Sequence, residues 1–510
     1  MNLLMQIGKP SQGAKQHRAR SLKVGKQECL VAPELINAYK RKTANEKIGS
    51  QTILLILGVF GRVPVSTRHD TNIDCRTTSS YGSDMKIFVN YSSINPSTFL
   101  KENCIMASEL RTPLTQRTGS SFLKACFNTT NAFLGIGLLT VPYALSSGGW
   151  LSLLLFFLVA AMTFSTGLLL KTCLDADPSI RNYLDISERA FGKKGRLIVS
   201  IIMNSELYLV AIGLLILEGD NLHKLFPKFL IRLGTLTIPG MQSFVIIAAL
   251  VILPSMLLTD LGILSYVSAT GVFSCLIILV SVVCVGAING VGFSAKGKLL
   301  NVGGIPTAVS LYIVCFAGHP VVPSVYTSMQ DPYQFSKVLL SGFTVTTITY
   351  LSMAIVGYLM YGDTVESQIT LNLPTGKASA EVAIYTTLLI PITRYALMLT
   401  PVANGIESGL PENYENWRPI KILIRMALLL STVVLACVFP HFESLMAIVG
   451  SIFVVLASFL LPCLFYLKIS DSYNQSWSHE TICITGIIIF GTVAGIFGTW
   501  FSIAQIVDGS

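Results

Sequence analysis

The stretch that decides the fold reads Asn131-Ala132-Phe133-Leu134-Gly135-Ile136-Gly137-Leu138-Leu139-Thr140-Val141-Pro142, and it lies inside a long apolar segment. A second apolar segment repeats its spacing, because Gly318 is followed five residues later by Pro323, as Gly137 is by Pro142. Glycine and proline in the middle of a membrane helix free backbone N–H and C=O groups that lipid cannot satisfy. Either segment alone could be a kinked, packed helix, but the matched pair favours two broken helices around a binding site.

The composition indicates an integral membrane protein. The 510 residues are 52% hydrophobic and 12% charged, whereas a soluble domain carries about 25% charged residues. Apolar segments of about 20 residues span a bilayer as helices, and such segments follow one another from Ser121 onward. The sequence therefore predicts an all-α integral membrane protein with about eleven transmembrane helices. We place the spans at about 121–145, 149–172, 197–217, 243–259, 263–288, 305–327, 338–361, 381–404, 422–439, 444–467 and 481–505.

The distance between the two interrupted segments indicates an internal repeat. Gly137 lies in span 1 and Gly318 in span 6, so each unit contains five spans. Because five is an odd number, the second unit must be inverted in the membrane relative to the first. The predicted fold is a five-plus-five inverted repeat in which helices 1 and 6 are broken. Its repeats cover about 121–288 and 305–467, and one extra helix follows at about 481–505.

Residues 1–120 form a separate region with the composition of a disordered tail. They are rich in Ser, Thr, Lys and Asn, and they hold the whole net charge of +9. No nucleic-acid-binding motif accompanies this charge, which suits a cytosolic arm near anionic lipid headgroups. The loops at about 171–196 and 405–425 are also rich in Lys and Arg. The positive-inside rule therefore predicts a cytosolic N-terminus.

The two breaks are expected to form a binding site at the middle of the membrane. The N-terminus of a half-helix offers free N–H groups and a partial positive charge, which suit a carboxylate. Unwound carbonyl groups suit an ammonium group or a metal cation, so the two breaks together fit a zwitterionic α-amino acid. The residues predicted to bind the substrate are Asn131, Gly135, Gly137, Leu138, Cys315, Phe316 and Gly318.

Three ionisable residues inside the spans are candidates for proton coupling. Glu206 lies mid-span, where an ionised carboxylate costs a few kcal/mol unless it is paired or hydrated. It could carry a proton, or it could form a structural pair with Arg394. His319 could titrate near neutral pH, or it could cap the second broken helix. Arg394 stays protonated, and its fixed charge argues against a sodium ion bound nearby.

Motifs in the membrane region resemble the amino acid/auxin permease family. Besides the stretch quoted above, the matching motifs are Cys126-Phe127-Asn128, Gly148-Gly149-Trp150, Thr166-Gly167-Leu168-Leu169-Leu170, Glu206-Leu207-Tyr208, Leu217-Glu218-Gly219-Asp220-Asn221-Leu222, Gly318-His319-Pro320 and Thr370-Leu371-Asn372-Leu373-Pro374. The resemblance runs from about Ser121 to Lys468 and is closest to vacuolar amino acid transporters related to the vesicular inhibitory amino acid transporter. It implies a LeuT-type fold, proton-coupled transport of amino acids and a vacuolar membrane.

Two stretches depart from the family pattern. Span 8 reads Ile390-Pro391-Ile392-Thr393-Arg394, where family members usually have Asn-Pro followed by Lys. Span 3 has Met203-Asn204-Ser205, where family members usually have a stretch with tyrosine. By the resemblance, both spans border the translocation path. Because of these two departures, the resemblance does not predict the range of substrates or the coupling ion of this protein.

The sequence carries no signature of an enzyme, a cofactor site or a metal site. It has no nucleophile–base pair, no phosphate-binding loop and no Cys/His spacing typical of metal ligands. The expected partners are amino acids, protons and membrane lipids, with no nucleic acid and no obligate protein partner. Two alternatives stay open, a sodium-coupled amino acid permease of the same fold and a receptor that binds an amino acid without transporting it.

Overall fold

The computed structural model describes residues 65–67, 72–77, 85–90, 119–257, 261–288, 290–411, 417–470 and 479–509. It divides into the units Met1–Thr118 and Gly119–Ser510. The prediction of a disordered tail falls mainly on residues outside the described ones.

The described residues of the first unit form a small antiparallel sheet. Its strands are β1 (Val65–Thr67), β2 (Asn72–Thr77) and β3 (Met85–Asn90), and they pair in the order β1-β2-β3. The composition of this region predicts a disordered tail, and the strands differ from that prediction. Apolar residues alternate with polar ones along β2 and β3, a period typical of strands, but the runs are too short to stand out in a polar composition.

The second unit is helical, and its order of elements follows the predicted spans. Its membrane helices are α1a (Phe122–Phe133), α1b (Gly137–Gly148), α2 (Leu153–Ala176), α3 (Tyr183–Leu225), α4 (Gly240–Leu257), α5 (Leu261–Ile288), α6a (Ile305–Cys315), α6b (Val322–Ser328), α7 (Phe335–Tyr361), α8 (Ala378–Glu407), α9 (Arg418–Val438), α10 (Phe442–Ile469) and α11 (His479–Gly509). The connections contain the short helix Ile369–Asn372, the hairpin β4 (Ile231–Leu233) and β5 (Leu236–Ile238), and helical turns at Trp150–Ser152, Val302–Gly304, His319–Val321, Pro332–Gln334 and Gly362–Thr364.

The number of membrane helices agrees with the prediction. In the described ranges, nine helices are long and apolar enough to cross a membrane. The shorter apolar helix α4 and the broken helix α1 complete the eleven predicted spans. The first helix of each predicted five-span unit is the broken one, which is the arrangement that the five-plus-five repeat requires. The prediction of an all-α membrane protein with broken helices 1 and 6 is confirmed.

Both breaks lie at the predicted glycines. α1a ends at Phe133, Leu134 is extended with φ −90° and ψ 107°, and the helix resumes at Gly137. α6a ends at Cys315, and a single tight turn over His319–Val321 leads into α6b. Pro323 lies in the first turn of α6b, where the N–H groups of a helix have no internal acceptor, so it costs no helical hydrogen bond. Pro142 lies inside α1b, where a proline cannot donate to the carbonyl four residues earlier.

Helix α3 is longer than the predicted span 197–217. It runs from Tyr183 to Leu225, and Gly192 at φ 68° makes a sharp change of direction near its start. The residues that α3 contains beyond 217 include Glu218 and Asp220, which interrupt the apolar run. Inside a helical bundle such residues can be buried against protein rather than exposed to lipid, and Glu218 is only 3% exposed.

Backbone hydrogen bonds join the outer ends of the two broken helices. At one end, the Ser120 N–H donates to the Ser328 carbonyl at 2.7 Å, and the Gln330 N–H donates to the Ser120 carbonyl at 3.1 Å. At the other, the Asn301 N–H donates to the Gly148 carbonyl at 3.0 Å. The outer ends of α1 and α6 are therefore paired on both sides of the breaks.

Candidate functional site

A tyrosine of α7 bridges the break in α1. The Tyr350 hydroxyl donates to the Phe133 carbonyl at 2.8 Å and accepts a hydrogen bond from the Gly135 N–H at 3.0 Å. One side chain thus satisfies an acceptor and a donor that the interrupted helix leaves free. Tyr350 is 1% exposed, so without this hydroxyl both backbone groups would lose a partner that water cannot replace.

Arg394 of α8 also contacts the break in α1. Its Nη2 donates to the Leu134 carbonyl at 2.8 Å and to Asn131 Oδ1 at 3.4 Å. Two glycines make room for the guanidinium group. A Cβ at Gly135 would lie 3.0 Å from Nη1, and a Cβ at Gly271 would lie 2.7 Å from Nη2. The arginine therefore lies in a slot between the α1 break and α5.

The structural pair between Glu206 and Arg394, which the sequence left open, is not formed. Arg394 binds neutral oxygens of α1. Glu206 is 9% exposed, and its Oε2 has no hydrogen-bond partner among the described residues. α3 and α8 pack against each other, but no hydrogen bond or ion pair joins the two side chains. The helix register that decides whether they pair depends on tertiary packing and cannot be predicted from apolar segments alone.

The two breaks touch each other. A Cβ at Gly137 would lie 2.9 Å from both Cα and Sγ of Cys315, and the Cys315 thiol donates to the Gly137 carbonyl at 3.6 Å. A Cβ at Gly318 would lie 2.7 Å from the Phe133 ring. The structure thus brings four of the predicted site positions, Asn131, Gly135, Gly137 and Gly318, into one region with Cys315.

Backbone N–H groups at both breaks lack acceptors. In the part of the chain that the structure describes, the N–H groups of Ile136, Gly137, Gly318 and His319 have no hydrogen-bond partner. Ile136 precedes α1b and Gly137 begins it. Gly318 precedes the turn into α6b and His319 begins it. Helix N-termini of this kind bind anionic groups through their free N–H groups and the partial positive charge of the helix dipole.

The remaining predicted site residues form the wall behind the breaks. Leu138 is 1% exposed, and Cys315 and Phe316 are fully buried. The Phe316 ring stacks on Phe343 with centroids 6.0 Å apart, and its edge contact with Tyr350 has a centroid distance of 5.8 Å. Asn131, Gly135 and Arg394 are partly exposed. The accessible part of the site is therefore the side lined by these three residues.

His319 is fully buried at the start of the turn after the α6 break. Its Nε2 lies 3.1 Å from the Thr163 carbonyl and 2.9 Å from the Thr166 hydroxyl oxygen. A carbonyl can only accept, so Nε2 carries a hydrogen and donates to it. Nδ1 has no partner among the described residues, and a proton taken up by the ring would be added there.

Sequence reasoning missed two residues of this region, Tyr350 and Gly271, and a buried carboxylate of α3, Glu218. The hydroxyl of a buried tyrosine needs a partner, and this rule could have directed attention to Tyr350. Glycine in a membrane helix marks close approach of a neighbour, and this could have indicated Gly271. Glu218 was noted only within a family motif, although its carboxylate is buried and its Oε2 has no partner among the described residues.

The fold and the paired breaks define the class of multi-pass helical membrane transporters. The chain belongs to the transmembrane amino acid transporter protein family, whose sequence profile matches residues 118–504. It is 49% identical to the amino acid transporter AVT1I of Arabidopsis thaliana over 388 residues, which cover 76% of this chain and 96% of that protein. The family is one of transporters and not of enzymes. The resemblance to this family is confirmed.

More distant similarities accompany this match. The chain is 27% identical to the vesicular GABA transporter of Caenorhabditis elegans over 401 residues, which cover 75% of this chain and 79% of that protein. The crystal structure of MhsT in complex with L-phenylalanine is similar with a TM-score of 0.48 and 12% identity, covering 74% of this chain and 98% of that chain.

Proposed function

We propose that the protein is a secondary active transporter that moves amino acids across the vacuolar membrane by alternating access and couples this movement to the proton gradient. Residues 1–120 are a basic tail on the cytosolic side, and residues 121–510 are the transporter domain. The orientation follows from the distribution of Lys and Arg, and the vacuolar membrane follows from the family resemblance. Amino acids, protons and membrane lipids are the partners of this function.

The observation that carries the proposal is the set of unpartnered N–H groups at the two facing breaks. Ile136 and Gly137 offer N–H groups that suit an α-carboxylate. The last carbonyl groups of α6a, at Cys315 and Phe316, lack the intrahelical donors that continue a helix and suit an ammonium group. A zwitterion between the breaks would satisfy both sets of backbone groups at once.

The proposed substrate-binding residues have different roles. Gly135, Gly137 and Gly318 let the two breaks and Arg394 approach closely, because a Cβ at each would lie within 3.0 Å of a neighbouring residue. Asn131 contacts the same region through its side-chain oxygen. Leu138, Cys315 and Phe316 form the apolar wall.

Proton coupling is assigned to Glu206 and His319. Both side chains are buried, and each has one atom without a partner among the described residues, Oε2 in Glu206 and Nδ1 in His319. Arg394 favours proton coupling over sodium coupling. Its guanidinium already binds the Leu134 carbonyl, and a second cation beside it would meet a fixed like charge in a medium of low dielectric constant.

Uptake of a panel of radiolabelled amino acids into proteoliposomes tests the proposal. An imposed pH gradient in sodium-free buffer should drive accumulation, and dissipating it with a protonophore should abolish accumulation. Accumulation that requires sodium would identify a sodium-coupled permease instead. Specific binding without accumulation would identify a receptor.

A further inference from the structure

We infer that the substrate carries a second anionic group, and that Arg394 binds this group as the specificity-determining residue. The preferred substrate is then an amino acid with a carboxylate side chain. This inference rests on the proposed transport of amino acids and specifies the substrate class of the same site.

The guanidinium group of Arg394 is held in position, but only one of its nitrogen atoms, Nη2, donates hydrogen bonds to described residues. Nη2 donates to the Leu134 carbonyl at 2.8 Å and to Asn131 Oδ1 at 3.4 Å. A guanidinium has five N–H donors. Nη1 lies 3.0 Å from the position that a Cβ would take at Gly135, and Gly135 is one of the partly exposed residues of the break. Nη1 therefore adjoins the accessible part of the site.

No described carboxylate balances the charge of Arg394, because none forms an ion pair with it. Its partners are the C-terminal end of α1a and a neutral amide. A helix C-terminus supplies the equivalent of about half a negative charge. A net positive charge therefore remains beside the break at the middle of the membrane.

This residual charge discriminates between neutral and acidic amino acids. When the site closes and water leaves, an unneutralised arginine near the bilayer centre is unfavourable. A zwitterionic substrate brings no net charge, and its ammonium group repels the guanidinium. An amino acid with a second carboxylate has a net charge of −1 at neutral pH, so it would neutralise the closed site and could accept bidentate hydrogen bonds from the guanidinium.

The spacing of the break is compatible with such a substrate. The free N–H groups of Ile136 and Gly137 would bind the α-carboxylate, while Nη1 lies beside Gly135. Two residues of chain span at most about 7 Å. The side chain of aspartate or glutamate can therefore reach from one anion site to the other.

The test compares isosteric pairs of acidic and neutral amino acids. Uptake of glutamate and glutamine, and of aspartate and asparagine, is measured in proteoliposomes with an imposed pH gradient and a clamped membrane potential. We expect kcat/KM to be at least about tenfold higher for the acid, since a hydrogen-bonded charge pair changes affinity by about 10- to 100-fold. Arg394→Gln should abolish or reverse the preference, and Arg394→Lys should retain part of it. Arg189→Gln, at an exposed cytosolic arginine that pairs with Asp177, is the matched control and should leave the ratio unchanged.

The outcomes separate the inference from the proposed function. Accumulation of glutamine at least as effective as that of glutamate in the unmodified protein would overturn the inference and leave amino acid transport intact. Accumulation of no amino acid would contradict the transport proposal. The purified protein in detergent then tests the charge inference separately, because glutamate should raise its melting temperature and glutamine should not. Equal stabilisation by both, or by neither, would overturn it.

Discussion

The Tyr350 hydroxyl donates to the Phe133 carbonyl across 217 positions of sequence, at a distance of 2.8 Å. The same hydroxyl accepts a hydrogen bond from the Gly135 N–H at 3.0 Å. Helix α7 thereby holds the first break of the transporter open, because it replaces backbone hydrogen bonds that a continuous α1 would form. The break is therefore a stable feature of the fold and does not require a bound substrate.

Replacing Tyr350 with phenylalanine should destabilise the protein and reduce transport. The variant keeps the ring contact with Phe316 but leaves two buried backbone groups without a partner, at a cost of about 1–3 kcal/mol. Thermal unfolding in detergent and amino acid uptake measure the two effects. Tyr385→Phe, at a position on α8 that is 52% exposed, is the matched control. Unchanged stability and uptake in Tyr350→Phe would show that the hydroxyl does not hold the break.

Valine at Gly137 or Gly318 should abolish transport while membrane insertion is retained. A branched side chain would collide with Cys315 from Gly137, and with the Phe133 ring from Gly318, at less than 3.0 Å. It would also cover the N–H groups that we assign to the substrate. Uptake relative to the amount of inserted protein is the measurement. Gly486→Val is the control, because a Cβ at Gly486 would meet nothing within 4 Å. Normal uptake by either site variant would remove that glycine from the site.

Glutamine at Glu206 should separate exchange from accumulation. The amide keeps the volume of the side chain but cannot carry a proton, so exchange of labelled for unlabelled amino acid should continue. Accumulation driven by the pH gradient should be lost. One pH unit corresponds to about 1.4 kcal/mol, so the unmodified protein could reach about tenfold accumulation per unit and per proton. The variant should reach a concentration ratio of about one.

Two other results for Glu206→Gln have distinct meanings. Loss of exchange and accumulation together, with poor folding, would indicate a structural role. Unchanged accumulation would exclude Glu206 as the proton carrier. His319 and the buried Glu218 would then be the next candidates.

The N-terminal tail should face the cytosol. This follows from the net charge of +9 that residues 1–120 carry and from the positive-inside rule. A tag at the N-terminus should be digested by protease added outside sealed vacuolar vesicles that keep their cytosolic face outward. Protection of the tag until detergent is added would reverse the proposed orientation.

Apolar segments and the Gly/Pro spacing were sufficient to predict the helices and both breaks. A break in a membrane helix depends on local residues, because the freed backbone groups must be satisfied where the helix is interrupted. Gly137 and Pro142 within an apolar segment are therefore enough to predict it. The length of α3 was predicted wrongly. Hydropathy treats Glu218 as the end of a span, and it cannot recognise a polar residue that is buried against other helices.

The partners of the site residues could not be predicted from the sequence. The contact of Arg394 with Leu134, and the slot that Gly135 and Gly271 provide, depend on the rotation of α8 and α5 about their axes. Apolar segments that are hydrophobic on all sides do not determine this rotation. For the same reason the sequence left open a pair between Glu206 and Arg394, which the structure does not form.

Amino-acid-induced proton movement tests the central claim most directly. Proteoliposomes in sodium-free buffer, with a pH-sensitive dye inside and the membrane potential clamped, should show a change of internal pH when a transported amino acid is added outside. The change should be absent in Gly137→Val and present in Gly486→Val. Amino acid flux without proton movement, or flux that appears only with sodium, would contradict the account.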